Sequence, residues 1–192
     1  IDGNTVVSDV DEDDAGRRAE GLQRPPGDQP AQALRHRARK RFGQNFLHDA
    51  GVIHRILRGI HARPGERLLE IGPGQGALTE GLLNSGAQLD VIELDHDLVP
   101  ILRAKFGSNP AFHLHQGDAL KFDFNSLNPE PRSLRVVGNL PYNISTPLIF
   151  HLLANAGVIR DMHFMLQKEV VERLAATPGG GDWGRLSIMV QY

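Results

Sequence analysis

Cysteine is absent from the 192 residues, so neither a disulfide framework nor a cysteine-ligated metal site is available, and redox chemistry at thiols is excluded. A reducing cytoplasm is permitted. No uninterrupted apolar run approaches the roughly 20 residues that a membrane helix needs, and the N-terminus lacks the basic-then-apolar layout of a signal peptide. The reading is of a soluble, cytosolic protein with no membrane partner. Net charge is also small, at -2, which taken alone argues against a nucleic-acid binder. That average hides two regions. Residues 1–30 carry eight acids against three arginines, whereas residues 31–192 carry fifteen acids against eighteen lysines plus arginines.

With 40% hydrophobic and 23% charged residues, the rest of the composition suits one ordinary globular domain with residues to spare. The first thirty-four or so residues have an acidic knot at Asp9 to Asp14, then Arg24-Pro25-Pro26-Gly27, and few large apolar side chains. Such a segment is expected to be disordered. Arg35, Arg37, Arg39, Lys40 and Arg41, with His36 among them, form the densest basic cluster, either a phosphate-binding arm or a solvated linker. The domain division that follows is an acidic and basic N-terminal extension over 1–38 and a catalytic domain over 39–192. The chain starts on Ile1 and stops on the apolar run Leu186 to Val190, so both ends read as cuts through a longer protein.

From Asp49 to Ile60, apolar residues recur at helical spacing, with Asp49 placed as a cap. Arg67 to Ile71 reads as a short buried strand, followed by the glycine loop Gly72-Pro73-Gly74-Gln75-Gly76 and a helical pattern over Ala77 to Leu83. Strands are predicted at Leu89 to Glu93, Ala111 to His115, Leu134 to Gly138 and Met162 to Leu166. Further helices are predicted at Asp97 to Phe106, Pro147 to Leu153 and Lys168 to Ala176, and a flexible loop at Gly179 to Gly181. Alternating strands and helices imply an α/β fold with a doubly wound, mainly parallel sheet.

In such sheets ligands bind beyond the carboxyl ends of the strands, which makes the residues just after each strand informative. A dinucleotide fold uses G-x-G-x-x-G to hold a pyrophosphate. Here the loop runs G-x-G-x-G behind an acid and contains proline, which fits a ligand without phosphates. Glu93 ends the second strand twenty-one residues after Gly72, the separation at which an acid accepts from ribose hydroxyls. Together these favour a nucleoside. Asp118, in Gln116-Gly117-Asp118-Ala119, has a carboxylate suited to an adenine amino group, or is simply a turn former.

After the fourth strand come Asn139, Leu140, Pro141 and Tyr142. A transferase acting on an exocyclic amino group must accept the hydrogens of a planar, weakly nucleophilic nitrogen so that its lone pair turns toward an electrophilic methyl. The Asn139 side-chain oxygen and a backbone carbonyl at Leu140, kept from helix geometry by Pro141, supply two acceptors without a titrating base. Tyr142 offers a face on which an unpaired base stacks.

Gly43-Gln44-Asn45-Phe46-Leu47, Glu70 to Gly76, Glu93, Gly117-Asp118, Asn139 to Tyr142 and Gln167 to Val171 occur in that order. In this combination the sequence from about Arg39 to Tyr192 resembles the small-subunit ribosomal RNA adenine dimethyltransferases, relatives of the erythromycin-resistance methyltransferases. The resemblance implies a Rossmann-like class I fold that binds S-adenosyl-L-methionine, with Asn45, Leu47, Gly72, Glu93, Asp118 and Asn139 lining the cofactor pocket and Arg41 and Asp49 flanking it. It implies two methyl groups placed on each of two neighbouring adenines in a hairpin near the RNA 3′ end. The immature small ribosomal subunit is the implied partner, with a role in its biogenesis. Such enzymes continue into a small helical C-terminal domain that this sequence lacks. Phe164 is a candidate second stacking aromatic, although its place inside a strand favours a core role. No metal is expected, since the nine histidines show no paired ligand spacing beyond His113 and His115. A monomer is expected.

Other readings are a methyltransferase of DNA adenine or protein glutamine, where an Asn-x-Pro-Tyr loop also serves, and an idle assembly factor that binds the immature subunit. A dehydrogenase is disfavoured by the glycine spacing.

Overall fold

The computed structural model describes residues 47–127 and 129–191, with Tyr142 described through its backbone only. Five strands form one sheet: β1 (Arg67–Ile71), β2 (Gln88–Glu93), β3 (Phe112–Gln116), β4 (Leu134–Asn139) and β5 (Ile159–Met165). They lie in the order β3-β2-β1-β4-β5, every neighbouring pair parallel. The expected doubly wound parallel sheet is therefore present. The helices are α1 (Ala50–Ile60), α2 (Thr79–Asn84), α3 (Leu98–Phe106), α4 (Tyr142–Leu153), α5 (Lys168–Ala175) and α6 (Arg185–Gln191). Parallel strands need crossovers, and α2, α3 and α4 lie in those from β1 to β2, β2 to β3 and β4 to β5.

Because side chains alternate across a strand, the sheet carries a core on each face. Leu69, Ile71, Ile92, Leu134 and Val136 face α4, where Leu148 and Leu152 meet them together with Phe124 and Leu127 of a short 3-10 turn. On the opposite face Leu68, Leu89, Val91, Phe112 and Val137 pack against Ile60 of α1, Leu82 of α2 and Leu102 of α3. Inside the sheet, β1 and β4 bury consecutive residues, Leu68 to Ile71 and Leu134 to Gly138, rather than alternate ones.

Asp49 caps α1 as expected, its Oδ1 accepting from the Val52 amide at 2.9 Å. The far end of this helix is held by Arg135, the second residue of β4. Its Nη2 donates to the Ile60 carbonyl at 2.7 Å, its Nη1 to Glu66 at 2.7 Å and its Nε to Asp161 at 3.0 Å. Burial alone would raise the Glu66 carboxyl, but the hydrogen bonds from Arg135 and from the Arg63 amide, together with the charges of Arg135 and Arg160, outweigh it and hold the group below its ordinary value.

Two boundaries differ from expectation by more than two residues. Helix α4 begins at Tyr142, five residues before Pro147, so the proline lies inside the helix. Pro147 is the sixth residue of the helix, so its missing N–H removes the intrahelical bond that would run to the carbonyl of residue 143. Strand β5 begins at Ile159 rather than at Met162, because Asp161 is held by Arg135 and is tolerated within the ladder.

Candidate functional site

The strand order reverses between β1 and β4: the chain goes outward from β1 through β2 to β3, then returns to β1's other side. This is the switch point at which open α/β sheets leave a crevice. Ile71 and Gly138 are register partners there, so the loop after β1 and the loop after β4 leave side by side. A Cβ on Gly138 would lie 2.7 Å from the Ile71 carbonyl oxygen, which shows how closely the two backbones approach.

Gly72, Gly74 and Gly76 all have positive φ, at 65°, 60° and 87°. That region is open to glycine at no steric cost, and the loop curls back over the strand because of it. Gly72 remains tied to β2 through its amide, which donates to the Ile92 carbonyl at 2.9 Å. A Cβ at Gly72 would meet nothing within 4 Å, so the loop surface is open at that point. A Cβ at Gly76 would come within 2.5 Å of the Phe106 ring, so that glycine lets α3 pack against the loop.

Glu93 organises the crevice. Only 3% exposed, it accepts from the Asp95 amide through Oε1 at 2.8 Å and from the Gly74 amide through Oε2 at 3.3 Å. A dinucleotide loop aims its amides at phosphate; here the Gly74 amide is committed to a carboxylate instead. Glu70 lies on the same face of the sheet, fully buried, and accepts from the Thr79 hydroxyl of α2 at 2.6 Å. Asp95 is buried beside them and orders the next turn, its Oδ1 accepting from the Asp97 amide at 3.0 Å. Among the described residues no basic side chain pairs with Glu70 or Glu93. A buried acidic wall of this kind repels a pyrophosphate and suits a nucleoside that carries positive charge.

Desolvation, opposed by the Thr79 hydrogen bond and reinforced by the nearby Glu93 carboxylate, pushes the Glu70 carboxyl up to about 7. Burial also raises Glu93. A carboxyl raised in the folded state binds its proton more tightly there than in the unfolded chain. The ligand-free protein should therefore lose stability as pH rises from about 4.5 to about 7, by roughly 3 kcal/mol from Glu70 on an order-of-magnitude basis. Urea denaturation of the parent and Glu70→Gln at pH 5 and pH 8 checks this. The variant should gain on the parent as pH rises; parallel responses would show that Glu70 carries no burial cost.

Asp118 follows β3, and its Oδ1 accepts from the Leu120 amide at 3.0 Å. The turn-forming role is thus present. Asn139 is the last residue of β4, in register with Met165 of β5, and the next amide, Leu140, donates to the Met165 carbonyl at 3.2 Å. Pro141 takes φ -59° and ψ 142°, an extended geometry from which α4 starts at Tyr142. Leu140 is buried in the core beneath the crevice. Leu47 is half-buried against the α1–α3 face of the core. Asn45, Arg41 and the basic cluster lie outside the described residues, as does the 1–38 extension. Phe164, in register with Gly138, packs against the core on the α4 face, in keeping with a core role. The Glu70–Thr79 pair and buried Asp95 were not among the expected pocket residues; Glu70 was visible only as the acid ahead of the glycines.

A parallel α/β sheet with a phosphate-free nucleoside crevice at its switch point, and an Asn-Leu-Pro loop beside it, is the layout of a Rossmann-like methyltransferase. The chain belongs to the ribosomal RNA adenine dimethylase family, whose model matches residues 35–192. It is 85% identical over 157 residues to the ribosomal RNA small subunit methyltransferase A of Pseudomonas savastanoi pv. phaseolicola, covering 82% of this chain and 59% of that one. The protein of the same name from Pseudomonas aeruginosa is 81% identical over 162 residues, covering 84% and 60%. The chain thus spans about 59% of the length of the curated relatives it matches. Among solved structures, a dimethyladenosine transferase from Plasmodium falciparum superposes with a TM-score of 0.66 at 30% identity, covering 76% of this chain and 52% of that one. The 23S rRNA methyltransferase ErmE does so at 0.62 and 31%, covering 76% and 55%.

Proposed function

We propose that this chain carries the catalytic part of an S-adenosyl-L-methionine-dependent enzyme. Its reaction is dimethylation of the exocyclic amino groups of two adjacent adenines in the 3′-terminal hairpin of small-subunit ribosomal RNA. It works as a cytoplasmic monomer on the immature small subunit and contributes to that subunit's biogenesis. The observation that carries this reading is the pairing of Ile71 with Gly138, which sets the glycine loop and the Asn139–Pro141 loop side by side at one crevice.

S-adenosylmethionine, when bound, supplies an electrophilic methyl group on a sulfonium. Glu93 would accept from its ribose hydroxyls, Asp118 would accept from the adenine amino group, and Gly72 would leave room for the ligand against the backbone. Leu47, Asn45 and Asn139 would complete the pocket. On the substrate side, the Asn139 side-chain oxygen and the Leu140 carbonyl accept the two hydrogens of the target amine, which frees its lone pair for attack. Pro141 fixes the carbonyl's direction, and Tyr142 stacks on the flipped-out base. The rate gain comes mainly from holding the two reactants in line, and no residue has to remove a proton beforehand.

The test is incubation with methyl-labelled S-adenosylmethionine and small-subunit RNA that lacks the modification, followed by digestion and mass spectrometry. The reading expects dimethyladenosine at two adjacent positions of one hairpin. Label in DNA adenine or in protein glutamine, and none in RNA, would overturn it.

A further inference from the structure

The acidic wall has a consequence beyond holding a nucleoside. Glu70, Glu93 and Asp95 are each at least 97% buried, and among the described residues Glu70's hydrogen-bond partner is the neutral hydroxyl of Thr79. On the flanking strands its register neighbours are Val91 and Val137, both apolar, and the charged group acting on it is Glu93. Lys105 of α3, which reaches the glycine loop, is exposed and donates to the Gln75 carbonyl at 2.8 Å. A carboxylate buried without a counter-charge gains most from a ligand that brings one.

Methyl transfer changes that charge. The carbon–sulfur bond breaks with its electron pair returning to sulfur, and the new carbon–nitrogen bond forms from the amine lone pair. The amine then gives up a proton to water. The cofactor enters as a sulfonium cation and leaves as a neutral thioether.

We propose, resting on the cofactor assignment above, that Glu70 is a specificity-determining residue that makes the pocket hold the sulfonium cofactor more tightly than its thioether product. Glu70 thereby favours exchange of product for fresh cofactor between the successive transfers that dimethylation requires. Thr79 is a positioning residue: its hydroxyl supports the ionised form of Glu70 and fixes the carboxylate beneath the glycine loop.

Isothermal titration of the parent, Glu70→Gln and Thr79→Val with S-adenosylmethionine and with S-adenosylhomocysteine at pH 8 tests this. In the parent the sulfonium ligand should bind more tightly. In Glu70→Gln that preference should shrink by on the order of tenfold, the thioether affinity changing less. Thr79→Val, which covers the case of an unfolded Glu70 variant, should shrink it in the same direction by a smaller factor. Equal losses for both ligands would place Glu70 on the ammonium group they share and overturn the proposal, as would an unchanged ratio in both variants. Failure of the parent to bind either ligand would instead overturn the cofactor assignment itself.

Discussion

Asn139→Ala abolishes methyl transfer, by a factor of hundreds or more, and leaves the fold intact. Asn139 ends β4 with its backbone fixed on both sides: Gly138 lies tight against the Ile71 carbonyl, and the Leu140 amide is bonded to Met165. Its side chain is only partly buried at the end of the strand. What is lost is one positioned acceptor for the amine hydrogens at the moment the nitrogen attacks. Removing a preorganised contact of that kind typically costs about 3 kcal/mol in the transition state, and each 1.4 kcal/mol is tenfold in rate. Single-turnover transfer assays, with thermal unfolding as the control, measure both halves. Transfer within about tenfold of the parent would remove Asn139 from the chemistry.

Glu93→Ala acts elsewhere, on cofactor binding rather than on the chemical step. In the proposed pocket the carboxylate would accept from the ribose hydroxyls, and it is also the tie that holds the Gly74 and Asp95 amides in place. Hydrogen bonds to a charged acceptor contribute about 1.5–3 kcal/mol each, so losing one should raise the dissociation constant for S-adenosylmethionine by roughly ten- to 150-fold. At saturating cofactor the rate should stay near that of the parent. Titration gives the first quantity and saturation kinetics the second. An unchanged dissociation constant would take Glu93 out of the pocket.

Much of this site was legible in the sequence because it lies at strand ends, and strand ends are marked by apolar runs that stop at glycine, acid or proline. β1 and the loop after it, Glu93 at the end of β2, and Asn139 to Pro141 after β4 all carry that mark. What could not be read were partners brought together by the fold. Glu70 and Thr79 meet across a turn of glycines, and Arg135 gathers Ile60, Glu66 and Asp161 from three separate segments. Nothing local announces either group. Charge within β5 hid the start of that strand until Arg135 was seen to hold Asp161. The polar Asn143 to Thr146 stretch before Pro147 concealed the first turn of α4. The Leu186 to Val190 run is too short to show helical periodicity. Yet it forms most of α6, where the Ser187 hydroxyl and the Gln191 amide bond the last carbonyls of α5.

The central claim is that the switch-point crevice holds a positively charged nucleoside and rejects a dinucleotide. It is tested most directly by isothermal titration of this chain with S-adenosylmethionine and, separately, with a nicotinamide dinucleotide. Saturable binding of the former alone is the result the acidic wall and the committed Gly74 amide predict. Binding of the dinucleotide, or of neither, would contradict the account.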